Sequence, residues 1–116
     1  MEIKDTINIA TDFSDVVTAR YREDGEHSGE EFLEDLLLPK FEKAVKENYI
    51  LLIELEKLWG SPSSFISGSF GKLSLDKGSE LVLKHLQFSS SDNPLRLKKI
   101  VKEIKNPKTR ERNVQI

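Results

Sequence analysis

The chain of 116 residues contains no cysteine, which removes disulfides, thiolate metal sites and cysteine nucleophiles together. It has only two histidines, His27 and His85, and neither stands at a metal-ligand spacing from a second donor. No metal or cofactor is therefore expected. No apolar run approaches the ~20 residues needed to cross a bilayer. Met1-Glu2-Ile3-Lys4-Asp5 is charged and leads into no apolar stretch, so no secretory leader and no membrane contact are expected, and the setting expected is the cytoplasm. Two catalytic signatures are missing as well. Residues 67–71 read Ser-Gly-Ser-Phe-Gly, with Ser69 at the wrong spacing for a hydrolase nucleophile elbow. Gly71-Lys72 is followed by Leu73 where a nucleotide-binding phosphate loop needs Ser or Thr.

What is present suits one folded domain. Hydrophobic residues make up 37% of the chain and charged residues 33%, too apolar a mixture for a disordered segment. The net charge of −2 conceals a division. Residues 1–95 carry 10 Lys/Arg against 18 Asp/Glu, whereas residues 96–116 carry 8 (Arg96, Lys98, Lys99, Lys102, Lys105, Lys108, Arg110, Arg112) against Glu103 and Glu111. Such a basic end serves either a nucleic-acid contact or a solvated helix and tail. It holds no aromatic on which bases could stack, which favours the second.

Along the chain, Ile3, Ile7 and Ile9 alternate with polar residues, so residues 2–10 read as a half-exposed strand and residues 15–21 as a weaker second one. Ser28-Gly29-Glu30-Glu31 is a capping box. Glu30, Glu31, Glu34 and Asp35 follow the dipole of the helix it opens, and Phe32, Leu33, Leu36, Leu37, Phe41, Ala44 and Val45 form its apolar stripe. Pro39 predicts a kink or break near residues 36–39. Residues 49–55, Tyr-Ile-Leu-Leu-Ile-Glu-Leu, are a central strand apolar on both faces. A turn at 75–79, a short helix at 80–86 and a short strand at 87–90 follow. A last helix at 95–105 buries Leu97, Ile100, Val101 and Ile104 behind a lysine face. The order β-β-α-β-α-α-β-α predicts an α/β domain over residues 1–105, a mixed sheet of about four strands packed with about four helices, and a basic tail at 106–116. Leu51, Leu52, Ile53 and Leu55 belong to the central strand, and Phe32, Leu36, Phe41, Ile66, Phe70, Ile100 and Ile104 complete the expected core.

The candidate site is residues 60–73, Gly-Ser-Pro-Ser-Ser-Phe-Ile-Ser-Gly-Ser-Phe-Gly-Lys-Leu, with five serines and three glycines directly after that strand. Ser61 suits a helix N-cap and Pro62 the first helical position. Ile66, Phe70 and Leu73 then share the buried face, while Ser67, Gly68 and Gly71 leave another face almost without bulk. Two readings stay open. In one, the serines cap and the glycines allow close packing; in the other, Ser63 and Ser64, above free first-turn amides, are a regulatory contact. A phosphate there would gain on the order of 1 kcal/mol from the amides and the dipole. Glu54 and Glu56, at the strand's end, are placed either to orient a serine or to repel a phosphate.

Residues 20–45 (RYREDGEHSGEEFLEDLLLPKFEKAV) and 50–73 (ILLIELEKLWGSPSSFISGSFGKL) resemble a STAS-like family of unknown function, itself similar to the STAS domain of anti-anti-sigma factors. The resemblance covers roughly residues 15–105. It rests on Arg20-Tyr21, Gly25, Ser28-Gly29-Glu30 with Phe32, and the stretch from Pro62-Ser63-Ser64-Phe65 to Phe70-Gly71. It implies a non-enzymatic, cytoplasmic, bacterial regulatory module that binds a protein partner. In STAS switches that partner is a GHKL-type ATP-binding kinase, which phosphorylates a serine opening the helix after a central strand. Ser63 and Ser64 match that place, Ser64 more nearly. No aspartate precedes Ser64, and Ser67-Gly68-Ser69 stands where bulkier, acidic residues are expected. The implied contact residues are Ser63, Ser64, Ser67, Gly68 and Gly71, with Glu54 and Glu56 behind them and no catalytic residue. The alternatives are a small enzyme of unknown reaction, or a nucleic-acid-associated protein using the basic C-terminal helix.

Overall fold

The computed structural model describes residues 1–60 and 62–108. Among these, three strands, β1 (Ile3–Asn8), β2 (Ile50–Glu54) and β3 (Leu86–Ser89), form a sheet in the order β1-β2-β3. Both pairings are parallel, with Ile7, Ile53 and Phe88 in one row and Thr6, Leu52 and Gln87 in the next. The five helices are α1 (Ile9–Asp12), α2 (residues 29–47), α3 (residues 63–77), α4 (Ser79–His85) and α5 (Leu95–Lys105). The α/β class is as expected, but the sheet is parallel rather than mixed and has three strands rather than four.

The missing strand has a physical explanation. The backbone of residues 15–21 is spent on helix starts instead of a ladder. Ala19 and Arg20 carbonyls accept from the amides of Gly29 and Glu30 at 2.8 and 3.0 Å, in the first turn of α2. The Thr18 carbonyl accepts from Ser64 Oγ at 3.0 Å. Only Val16 keeps a strand-like pairing, a single parallel bridge to Trp59. β1 also ends early, because Asn8 Oδ1 accepts from the Thr11 amide at 3.0 Å and caps α1.

The sheet steps in one direction, so right-handed crossovers lay both helical connections on the same face. That face buries Ile7, Leu51, Ile53 and Leu86. On the other, Thr6 and Gln87 are exposed and Leu52, between them, is partly so. The continuous apolar run of β2 is therefore covered once and flanked by neighbours, and Leu52 leaves the expected core, as does the half-buried Leu36.

Helix α2 opens on its capping box: Ser28 Oγ accepts from the Glu31 amide at 3.0 Å. The Glu31 carboxylate reaches back one residue further than a standard box requires, to the His27 amide at 3.1 Å. The helix absorbs Pro39 without breaking. A π-helical turn, Leu33–Leu37, lies immediately before Leu38–Glu47, at the place where Pro39 predicts a kink or break, and its i+5 bonding accommodates the proline ring so that the helix continues. Helix α3 likewise runs from Ser63–Ile66 through a π-helical turn, Ser67–Gly71, into Lys72–Lys77. The turn expected at 75–79 shrinks to Gly78, whose φ of +94° separates α3 from α4.

Phe32 on α2 packs against Phe13, Phe65 and Phe70, with ring centroids 5.3, 5.7 and 5.9 Å away, and Phe70 carries the contact on to Phe88 of β3 at 5.4 Å. His85 is buried beside this core. Its Nδ1 lies 2.8 Å from the Tyr49 carbonyl and donates to it, and Phe41 meets its ring edge-on. Both histidines thus have packing roles, His27 standing edge-on to Phe13.

Candidate functional site

In a parallel α/β sheet, ligands and partners meet the loops beyond the carboxyl ends of the strands. Here those loops are bound to one another. Arg96, on α5, sends Nη1 to the Leu55 carbonyl at 2.8 Å and Nη2 to the Leu58 carbonyl. Asp92 accepts from the Lys57 amide at 3.3 Å, and Glu56 accepts from the Ser91 amide at 3.0 Å. Asp92 is held below the ordinary aspartate range, first by the Lys57 amide and then by the Ser90 hydroxyl and the Arg96 charge. Arg96, expected on a solvated basic helix, is 9% exposed and clamps the exit of β2. Glu103 is buried as well, so the inward face of α5 is Arg96, Ile100, Glu103 and Ile104, with Leu97 and Val101 only partly covered.

The clamped loop carries an exposed tryptophan. The Trp59 amide donates to the Asp15 carbonyl at 2.8 Å, and the bridge to Val16 fixes the backbone on both sides. Yet the indole is 73% exposed and Val16 is 48% exposed. An exposed tryptophan beside an exposed valine on a hydrogen-bonded backbone is open to a partner, and tryptophan is enriched among the residues that carry interface energy. Ser64 adjoins it through the Thr18 carbonyl, two residues after Val16. Sequence reasoning passed over Trp59, although a lone tryptophan in a Gly-Ser-Pro loop after a buried strand is a readable signal.

The residues singled out beforehand fall into separate environments. Ser63 is exposed and Ser64 half-buried at the start of α3. Pro62 occupies the N-cap position with no side-chain bond, so the helix starts one residue later than expected, and Ser61 lies outside the described residues. Ser63 also borders a groove of about 220 Å³ with Lys99, Lys102 and Lys108, so the basic face of α5 stands beside the serine turn.

The small-residue face is filled from within. A side chain at Gly68 would meet the Arg20 carbonyl at 2.6 Å, and one at Gly71 would meet Glu103 Oε2 at 2.7 Å. Ser67 is 7% exposed and lines a cavity against Arg20. Glu54 and Glu56 turn elsewhere: Glu54 accepts from Asn8 Nδ2 at 3.4 Å, on the open side of the sheet, and Glu56 holds Ser91. Among the described residues no cluster of three His, Asp or Glu could hold a metal, and no helix is long and apolar enough to cross a membrane. The tail from residue 109 onward lies outside the described residues.

Comparisons of the chain with family models, with curated proteins and with solved structures find no match.

Proposed function

We propose that the protein is a non-enzymatic, STAS-like regulatory module of the bacterial cytoplasm, binding a GHKL-type ATP-binding protein through the serine turn and Trp59. The observation that carries this reading is the exposed indole of Trp59 on a backbone pinned by Val16, Asp15 and the Arg96 clamp. Interfaces draw much of their energy from such an aromatic, because a rigid ring loses little entropy when it is covered. The start of α3 supports the same surface. Ser63 and Ser64 precede the first helical bond, which runs from the Ile66 amide to the Pro62 carbonyl. A phosphate on either would bring roughly −1.5 to −2 charges to the contact. On Ser64 it would also remove the hydroxyl bond to Thr18, whereas on Ser63 it would face Lys99 and Lys102. Ser64 is therefore the better switch.

Calorimetric titration of the purified chain with the GHKL-type protein from the same genome tests the proposal. Binding by the wild type, lost in Trp59→Ala and in Ser64→Glu with circular dichroism unchanged, is the expected result. Full affinity in both folded variants, or enzymatic turnover by the purified chain alone, would overturn it.

A further inference from the structure

The grooves of the surface differ in charge. Those beside Arg20, beside Ser63 and beside Phe41 each carry a carboxylate on their walls: Glu30 and Glu34, Glu103, and Glu42 in turn. A groove of about 400 Å³ along the outer side of α5 carries none. Its walls are Leu97, Lys98, Val101, Lys102, Lys105 and Asn106. Helical spacing sets these in two parallel rows of residues four apart. One row runs Leu97, Val101, Lys105, and the other runs Lys98, Lys102 and the cap residue Asn106. The groove is the furrow between the rows, about two turns long.

The rest of the fold leaves this charge uncompensated. Lys98, Lys102 and Lys105 are exposed, and none of them takes part in an ion pair among the described residues. Lys40, Lys72 and Lys77, by contrast, each meet a carboxylate, at 3.1, 3.2 and 3.1 Å. Lys98 and Lys102 stand four residues apart and Lys102 and Lys105 three, spacings at which like charges on a helix repel. The aliphatic row is what separates this face from a merely solvated one. Leu97 reaches the edge of the core, yet it and Val101 both stay partly uncovered.

We infer that this face docks an acidic amphipathic helix of a protein partner, its aliphatic ridge in the furrow on Leu97 and Val101 and its carboxylates against Lys98, Lys102 and Lys105. Helices pack by setting the ridge of one into the furrow of another, and glutamates beside an aliphatic seam pair across it with lysines. Other polyanions fit this face less well. A nucleic-acid backbone has nothing aliphatic to lay on Leu97 and Val101, and the furrow offers bases neither an arginine nor an aromatic. An anionic membrane takes up a broad apolar face that stands clear of the lysines. Here only Leu95, 68% exposed, does so, while Leu97 and Val101 lie inside the furrow. Neither Trp59 nor Ser64 lines it, so this contact and the one proposed above stand or fall separately.

The test is a titration of the full chain with a capped helical peptide of glutamates around a leucine stripe, followed by the backbone amide resonances. Saturable shifts centred on residues 97–106 are expected, with affinity lower by about tenfold or more when glutamines replace the glutamates. Lys98→Glu combined with Lys102→Glu should abolish binding. Lys43→Glu combined with Lys46→Glu makes the same change of net charge on α2 and should leave affinity within about twofold, since distant surface charges are screened. All four lysines are exposed, so neither pair of substitutions touches the core. No saturable shift, shifts centred elsewhere, equal affinity for the glutamine peptide, or equal effects of the two charge reversals would each overturn the assignment. So would tighter binding of a DNA duplex or of phosphatidylserine vesicles than of the peptide.

Discussion

Replacing Gly29 by alanine sets two physical effects against each other. By helix propensity alone, Gly29→Ala in the first turn of α2 should stabilise the protein, by up to about 1 kcal/mol. The packing opposes this. An added Cβ would lie 2.5 Å from the Phe65 carbonyl oxygen, 2.9 Å from Gly68 C and 3.0 Å from Gly68 Cα, all backbone atoms of α3. Ordinary contact begins at 3.4 Å, so the nearest of these requires the helices to separate by about 0.9 Å, the difference between 3.4 and 2.5 Å. Backbone cannot swing aside as a side chain does. Separation on that scale also draws Phe32 from Phe65, whose ring centroids are 5.7 Å apart, and forfeits a quarter to a half of the local dispersion energy. Overpacking of this kind costs about 1–3 kcal/mol. The expected net loss is about 1–2 kcal/mol, or about 5–10 °C in Tm for a domain of this size. Urea unfolding followed by far-UV circular dichroism measures it. Gly78→Ala is the control, since it meets no atom within 4 Å and carries only the backbone strain of φ +94° and ψ 137°, about 1–3 kcal/mol. A Gly29→Ala protein as stable as the wild type, or more so, would refute the packing argument.

Two other outcomes follow from the clamp at the strand ends. Arg96→Lys should lower stability by about 1–3 kcal/mol despite keeping the charge, because a point-like ammonium cannot serve the Leu55 and Leu58 carbonyls together; an unchanged urea midpoint would count against the clamp. Asp92 has its carboxyl lowered by the Lys57 amide, so its stabilising effect is complete above the ordinary aspartate range and is lost as pH falls through the lowered folded value. The Lys57 amide resonance should accordingly titrate with a midpoint below that range and cease to do so in Asp92→Asn, and a midpoint at or above the range would contradict the assigned bonds.

Locally encoded features were legible in the sequence. The bounds of α5, the existence of the β2 strand and the Ser28 cap of α2 depend on neighbours within a few positions, and periodicity and capping report such neighbours directly. The open serine turn was legible in the same way, since Pro62 and the serines mark a helix start. Everything that depended on distant partners was not. Residues 15–21 have strand composition, but their carbonyls meet Gly29, Glu30 and Ser64 before any ladder can claim them. Gly68 and Gly71 look like a bare face until Arg20 and Glu103 are brought onto them. Arg96 looks solvated until the β2 exit loop offers it two carbonyls, and the exposure of Trp59 shows only once its loop is placed beside Val16. A residue's type sets which bonds it can make. Only the folded backbone decides which of those partners comes within reach, because a backbone amide has one hydrogen to donate and a carbonyl room for only a few donors, and the competition for them is settled across the whole chain.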